Sequence, residues 1–386
     1  MSEILEAEPS TDFPLDPLVE RLDEWINANW HELHSLTEGV ENALTWSRVE
    51  AARRLQRLLY EAGWAKFGWP KEVGGLGGSV LHRATIFDRL AAAGVPEPAL
   101  FEHLEILGPP LIKYGHPGFV ARVFPMLLSG DQAWAQGFSE PDAGSDLLGL
   151  RTTATVVEGG AIIQGRKIWT SWAAYSRWCL VIARTGSIES RHRGLSAFAV
   201  DLESKGVEVS RILQANAGDE LAEVTFDDVF VPVDAFVGNL GSGFEVMLAV
   251  LGYERGIYPW YRQSILQSRL RTVAHDLGSD FDDMLGSVVL DLFAVRAAST
   301  RAVASTALGQ LPGPEAALGK LLLVRAEQEL YDLIYAALGT KISLGSHRRA
   351  TKLTHDYFFS SVTSVYGGSQ QMQLTTIATK VLGLPR

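Results

Sequence analysis

A chain of 386 residues, 47% hydrophobic and 20% charged, carries enough apolar material for a large core in two or three subdomains and is not compositionally disordered. Its net charge of -11 argues against a nucleic-acid surface, which would be basic. The single cysteine, Cys179, excludes an intrachain disulfide framework and a multi-cysteine metal site; within the apolar run Ser176 to Ala183 it reads as a buried, inert thiol.

In chain order, Met1 to Phe13 is acidic and lacks the basic and apolar regions of a signal peptide. Residues 1–12 read as a flexible tail. No apolar run of about 18 residues suggests a membrane span, so a cytoplasmic protein is expected. Helical periodicity places Leu18, Leu22, Trp25 and Ile26 on one face of Pro17 to Trp30, and Val49, Leu55, Leu58 and Leu59 on one face of Trp46 to Ala62. Gly63 ends that helix, and Trp69 to Gly78 is turn-rich. Further helices are predicted over Val80 to Ala93 and Gly118 to Leu128. Near residue 131 the runs become short and β-rich, as in Thr152 to Val157, Leu195 to Val200 and Glu223 to Phe226. Helical periodicity returns at Gly243, with candidates over Phe244 to His275, Phe281 to Leu308, Pro314 to Gly339 and Ser369 to Leu382. Pro312-Gly313-Pro314 breaks one helix and starts the next. Composition and pattern alone give a mixed α and β chain: residues 13–130 helical, 131–240 β-rich, 241–386 helical.

Three blocks carry chemistry. The first is Phe138-Ser139-Glu140-Pro141-Asp142-Ala143-Gly144-Ser145-Asp146, preceded by Gln136. Small hydroxyl residues beside glycine can supply donors to a planar ring or a pyrophosphate without obstruction. The second is Lys167-Ile168-Trp169-Thr170-Ser171. The third is Tyr366-Gly367-Gly368-Ser369-Gln370-Gln371-Met372-Gln373, a tight loop that opens a helix and presents backbone N–H groups.

In this order and spacing, the three blocks resemble the acyl-CoA dehydrogenase family, and the resemblance covers most of the chain. It implies an α+β multidomain fold: a helical N-terminal domain, a middle β domain and a C-terminal four-helix bundle. It implies FAD as cofactor and an acyl-CoA thioester as substrate, losing its α-proton to a carboxylate and its β-hydride to flavin N5. Ser139 then sits at the ring edge with Phe138 beside it, and Ser145 reaches the pyrophosphate near the thioester. Gln136, Gly144 and Thr170 belong to the same cofactor set. Trp169 covers one ring face and Ser171 contacts N5. Gly367 N–H helps hold the thioester carbonyl, and Gly368, Ser369 and Gln371 face the cofactor.

Many members of the family place Glu directly after the tyrosine of the last block; here that position is Gly367. A second group has Gly there and carries the Glu in a Glu-Arg pair on a bundle helix. This chain has Tyr253-Glu254-Arg255 in that place. The loss and the gain together point to Glu254 as base, with Arg255 positioning the region and Tyr253 near the substrate. Tyr258, Trp260 and Tyr261 are either pocket or core aromatics.

Two features of the best-known members are missing: Arg followed by Phe-Gly (Arg271 to Asp282 gives no match) and Gln-x-x-Gly-Gly (Ala336 to Gly345 gives none). Both help hold the FAD adenosine half across a subunit interface. The family's usual Arg after the final Gln is Leu374. A bacterial branch lacks both features too and carries a run like Pro314-Glu315-Ala316 and Lys320; some of its members build FAD sites from two different subunits. The resemblance therefore implies a homo-oligomer (dimer or tetramer) or a hetero-oligomer with a related subunit. It further implies an electron-transfer flavoprotein as acceptor. Alternative readings are a subunit without independent turnover and a flavin oxidase or monooxygenase on the same fold.

Overall fold

The computed structural model describes residues 14–36, 45–95, 101–347 and 349–385. The expected tail, residues 1–12, lies outside them. The N-terminal unit contains α1 (Leu15–Ala28), α2 (Trp30–Ser35), α3 (Thr45–Glu61), α4 (Val80–Ala92), α5 (Phe101–Tyr114) and α6 (Pro117–Leu128). Leu18, Leu22 and Ile26, spaced four apart on α1, are all buried, as an apolar stripe requires. Helix α5 was not anticipated, because Pro109 and Pro110 lie inside it and ordinarily break a helical pattern.

The middle unit is one sheet: β1 (Trp134–Gly137), β2 (Thr153–Val157), β3 (Gly160–Ser171), β4 (Trp178–Arg184), β5 (Leu195–Asp201), β6 (Val207–Ile212), β7 (Leu221–Pro232) and β8 (Phe236–Val237). Strand order is β6-β7-β3-β2-β4-β5-β8, with β1 pairing parallel to β4 off this path. Strands β4 and β5 are buried along nearly their whole length, which explains why their sequences are continuously apolar rather than alternating. Cys179 on β4 is fully buried, and burial pushes its thiol up to about 12.

The C-terminal unit holds α7 (Gly243–Gly256), α8 (Tyr258–Ala274), α9 (Asp282–Ala307), α10 (Ala316–Ser343), α11 (Ala350–Val362) and α12 (Gln370–Thr376). The continuous helix expected over Phe244 to His275 is two helices, broken at Ile257. Pro259 cannot donate to the preceding turn, and Gly256 packs so closely on Pro312 that a Cβ would stand 2.4 Å from its ring. Ser369 to Leu382 likewise divides, α12 giving way to a π-turn over Ile377–Val381. Helix α11 had not been expected. Helix α10 is central, packing on α7, α8, α9, α11 and α12. Among the described residues no helix is long and apolar enough to cross a membrane.

Candidate active site

The first two sequence blocks are joined by a buried ion pair. Lys167 on β3 is fully buried; its Nζ donates to Glu140 Oε1 at 2.7 Å and to the Phe138 carbonyl at 3.2 Å. Glu140 also accepts from the Arg151 N–H (2.6 Å) and the Thr152 N–H (2.9 Å). Burial opposes the Glu140 charge, but Lys167 and these donors hold its carboxyl below the usual range. The Ile168 N–H then donates to the Ser139 carbonyl at 3.0 Å, fixing the loop beside the strand.

Immediately afterwards the β3–β7 pairing slips between Lys167 and Thr170. Trp169 takes φ 59 and leaves 56% of its surface exposed. In the first block Ser145 and Gly144 are exposed, Gln136 and Ser139 are half-buried and Phe138 is buried; Ser171, after Trp169, is half-buried. Among the described residues, the hydroxyls of Ser139, Ser145 and Ser171 make no hydrogen bond within the chain. An exposed indole and uncommitted hydroxyls, on two blocks that the Ile168–Ser139 bond joins, fit a flavin ring and its phosphates. Thr170 is the exception: it is fully buried and its Oγ1 has no partner, so its side chain turns away from the face that exposes Trp169.

The carboxylate half lies in the last turn of α7. Glu254 is half-buried, and its Oε2 is shielded from solvent without a hydrogen-bond partner. Burial pushes its carboxyl above the usual range; Lys320 and Arg255 pull it part of the way back. Facing it is the loop after α11. Gly367 has φ 66, and a Cβ there would stand 2.7 Å from Glu254 Oε1. The space beside the loop therefore holds one carboxyl group, which enters from position 254 because position 367 has no side chain. Arg255 Nε donates to the Gly367 carbonyl at 3.4 Å. Gln373 Nε2 donates to the Gly367 and Gly368 carbonyls at 3.3 and 2.9 Å. Ser369 caps α12, its Oγ accepting from the Met372 N–H at 3.3 Å, while Gln371 is exposed.

Tyr253 is half-buried, and burial pushes its phenol up; Arg83 opposes the shift, while Tyr114 and Glu105 add to it. Tyr258, Trp260 and Tyr261 are packing residues. The Tyr258 hydroxyl pairs with that of Tyr366 at 2.7 Å; Tyr261 meets Phe87 at 4.4 Å between ring centres, and Trp260 stacks on Arg296.

A third cluster links the two halves. Glu220, at the entry to β7, accepts the Trp172 N–H on its backbone carbonyl at 2.6 Å. Its carboxylate accepts from Arg48 of α3 at 2.7 Å and meets His355 of α11 at 3.1 Å. Burial opposes its charge, but His355 and Arg48 hold the carboxyl down at about 2. Glu140, Lys167, Glu220, His355 and Gln373 were not singled out from sequence. The signal for Lys167 was present, since it lies in the inward phase of β3 with Ala161 and Ile163, where a charge needs a partner.

Comparison with known proteins gives a consistent result. Models for the acyl-CoA dehydrogenase N-terminal, middle and C-terminal domains match residues 36–131, 135–229 and 241–382. The acyl-CoA dehydrogenase IpdE1 of Mycolicibacterium smegmatis is 35% identical over 354 residues, covering 87% of this chain and 89% of its own. The solved Tcur3481-Tcur3483 steroid ACAD is 25% identical with a TM-score of 0.79, covering 98% of this chain and 100% of its own. The ChsE4-ChsE5 complex from Mycobacterium tuberculosis shares the fold at 24% identity and a TM-score of 0.79, covering 98% of this chain and 100% of its own.

Proposed function

The chain belongs to the acyl-CoA dehydrogenase family of oxidoreductases, and on that premise we propose that it converts an acyl-CoA to the trans-2-enoyl-CoA with Glu254 as base and FAD as cofactor. The observation that carries the proposal is the complementary fit of Glu254 and Gly367, in which the Glu254 carboxyl occupies the space that a side chain at 367 would enter.

When bound, FAD supplies the hydride acceptor. Trp169, Ser139, Ser145 and Ser171 would hold its ring and phosphates, with Gln136, Phe138 and Gly144 lining the same stretch; Gly368, Ser369 and Gln371 would approach from the bundle. The remaining work belongs to the chain. The Gly367 N–H polarises the thioester carbonyl and stabilises enolate-like charge as the α-proton leaves. Arg255 and Gln373 steady that N–H by gripping the carbonyls of its loop. Glu254 receives the proton, and its raised pKa improves it as an acceptor near neutral pH. Tyr253 lies beside the base on the same turn and would bound the acyl group.

The test is anaerobic titration of the purified flavoprotein with butyryl-, octanoyl- and isovaleryl-CoA. Wild type bleaches with at least one of them; Glu254→Gln slows that bleaching by about 10²–10⁴. Bleaching at the wild-type rate in Glu254→Gln would remove the base from this position. A second reading rests on the missing adenosine-binding features: a related subunit completes the FAD site. It is favoured if the chain alone does not retain FAD and does so after co-expression with such a subunit. An electron-transfer flavoprotein is the acceptor proposed in either case.

A further inference from the structure

Lys320 is one of the few charged side chains buried in the bundle, 3% exposed in the first turns of α10. It occupies the inward phase with Leu323, Val324 and Glu327, where an apolar residue would pack at no electrostatic cost. Its Nζ stands 3.7 Å above the centre of the Tyr366 ring. That ring is pinned from the other side. The Tyr366 hydroxyl pairs with Tyr258 at 2.7 Å and with Thr363 Oγ1 at 3.4 Å. Thr363 donates to Glu327 at 3.0 Å, and Glu327 is held by Arg262. Tyr366 directly precedes Gly367, the residue against which the Glu254 carboxyl lies.

We infer that Lys320 is a positioning residue for the reaction: seated on the Tyr366 ring, it fixes the Gly367 loop against the Glu254 carboxyl of α7. The inference rests on Glu254 being the base. The charged groups that act on Glu254 are Arg255 on its own helix and Lys320 on α10; both favour the carboxylate against burial. Arg255 is committed to the Gly367 carbonyl, so Lys320 is the cation contributed by a different helix. A purely structural lysine would not alter when Glu254 takes up its proton.

The experiment compares wild type, Lys320→Met, Lys320→Arg and Glu254→Gln as flavin-loaded protein. Isotope-edited infrared difference spectra, with Glu254→Gln identifying the band, follow the Glu254 carboxyl through a pH titration without turnover. The acid limb of the bleaching rate with the best of the three acyl-CoA probes is measured in parallel. Lys320→Met is expected to move both the infrared midpoint and the acid limb up by about one pH unit, about tenfold in rate on that limb. Lys320→Arg is expected to restore both. An unchanged infrared midpoint in Lys320→Met, whatever its rate or melting temperature, overturns the inference. If Lys320→Met does not fold, Lys320→Gln carries the same comparison. Normal bleaching by Glu254→Gln sinks the base assignment instead, and the infrared arm still decides whether Lys320 holds Glu254 ionised.

Discussion

At the scale of single residues, the proposed mechanism turns on the position after Tyr366. Gly367 has φ 66, a conformation that costs an L-residue about 1–2 kcal/mol. A methyl group there would also stand 2.7 Å from Glu254 Oε1. Gly367→Ala is therefore predicted to lower stability by about 1–3 kcal/mol and to displace the carboxyl it faces. Its bleaching rate should fall tenfold or more while flavin absorbance is retained; an unimpaired Ala variant would show that the loop and α7 separate easily. The structure brings together Glu254 and Gly367, the two positions that the family resemblance singles out as a correlated pair. The resemblance groups Thr170 with Trp169 and Ser171, but its side chain is fully buried: the register slip after Lys167 turns Thr170 inward and Trp169 outward.

At the scale of elements, the loop proposed to meet the flavin is anchored to β3 by a buried pair of charges. Lys167 and Glu140 sit on different segments and are both buried, at 0% and 7% exposure. Removing one member leaves the other uncompensated. Lys167→Met is predicted to cost about 3–5 kcal/mol and to loosen flavin retention, read by chemical unfolding and by the flavin dissociation constant. A double replacement of Lys167 and Glu140 by apolar residues should recover stability, because the desolvation penalty goes with both charges. Recovered stability without recovered flavin binding would show that the pair's value lies in the loop conformation. Helix periodicity located α1, α3, α4, α9 and α10 within a few residues. It failed at α5, where two prolines sit inside the helix, and at α7–α8, where apolar spacing continues across a break set by Gly256 and Pro259.

At the scale of the whole molecule, Glu220 joins α3, β7 and α11 through Arg48 and His355. Burial opposes the His355 charge, but Asp356 and Glu220 raise its affinity for a proton above the ordinary 6.5. A group whose pKa is raised in the folded state contributes stability below its unfolded value and loses that contribution as pH rises through its folded value. Glu220 works in the opposite sense: depressed from 4.5 to about 2, it contributes above 4.5 and loses its effect as pH falls toward 2. Their joint contribution is complete between about pH 4.5 and 6.5. His355→Gln is predicted to lower stability there by about 1–3 kcal/mol and to flatten the alkaline side of the stability profile, measured by calorimetry across pH. A variant with the wild-type profile would place the linkage elsewhere. The same junction ties the strand end that follows Trp169 and Ser171 to the helix that leads into Tyr366 and Gly367. On the proposed mechanism it acts as a caliper: one jaw is the hydride side, the other the proton side, and the gap is set by residues assigned to neither flavin nor acyl group. The two hydrogens always leave neighbouring carbons, so the jaws can stay fixed while the residues around the tail diversify, and new acyl groups become accessible without the calibration being redone.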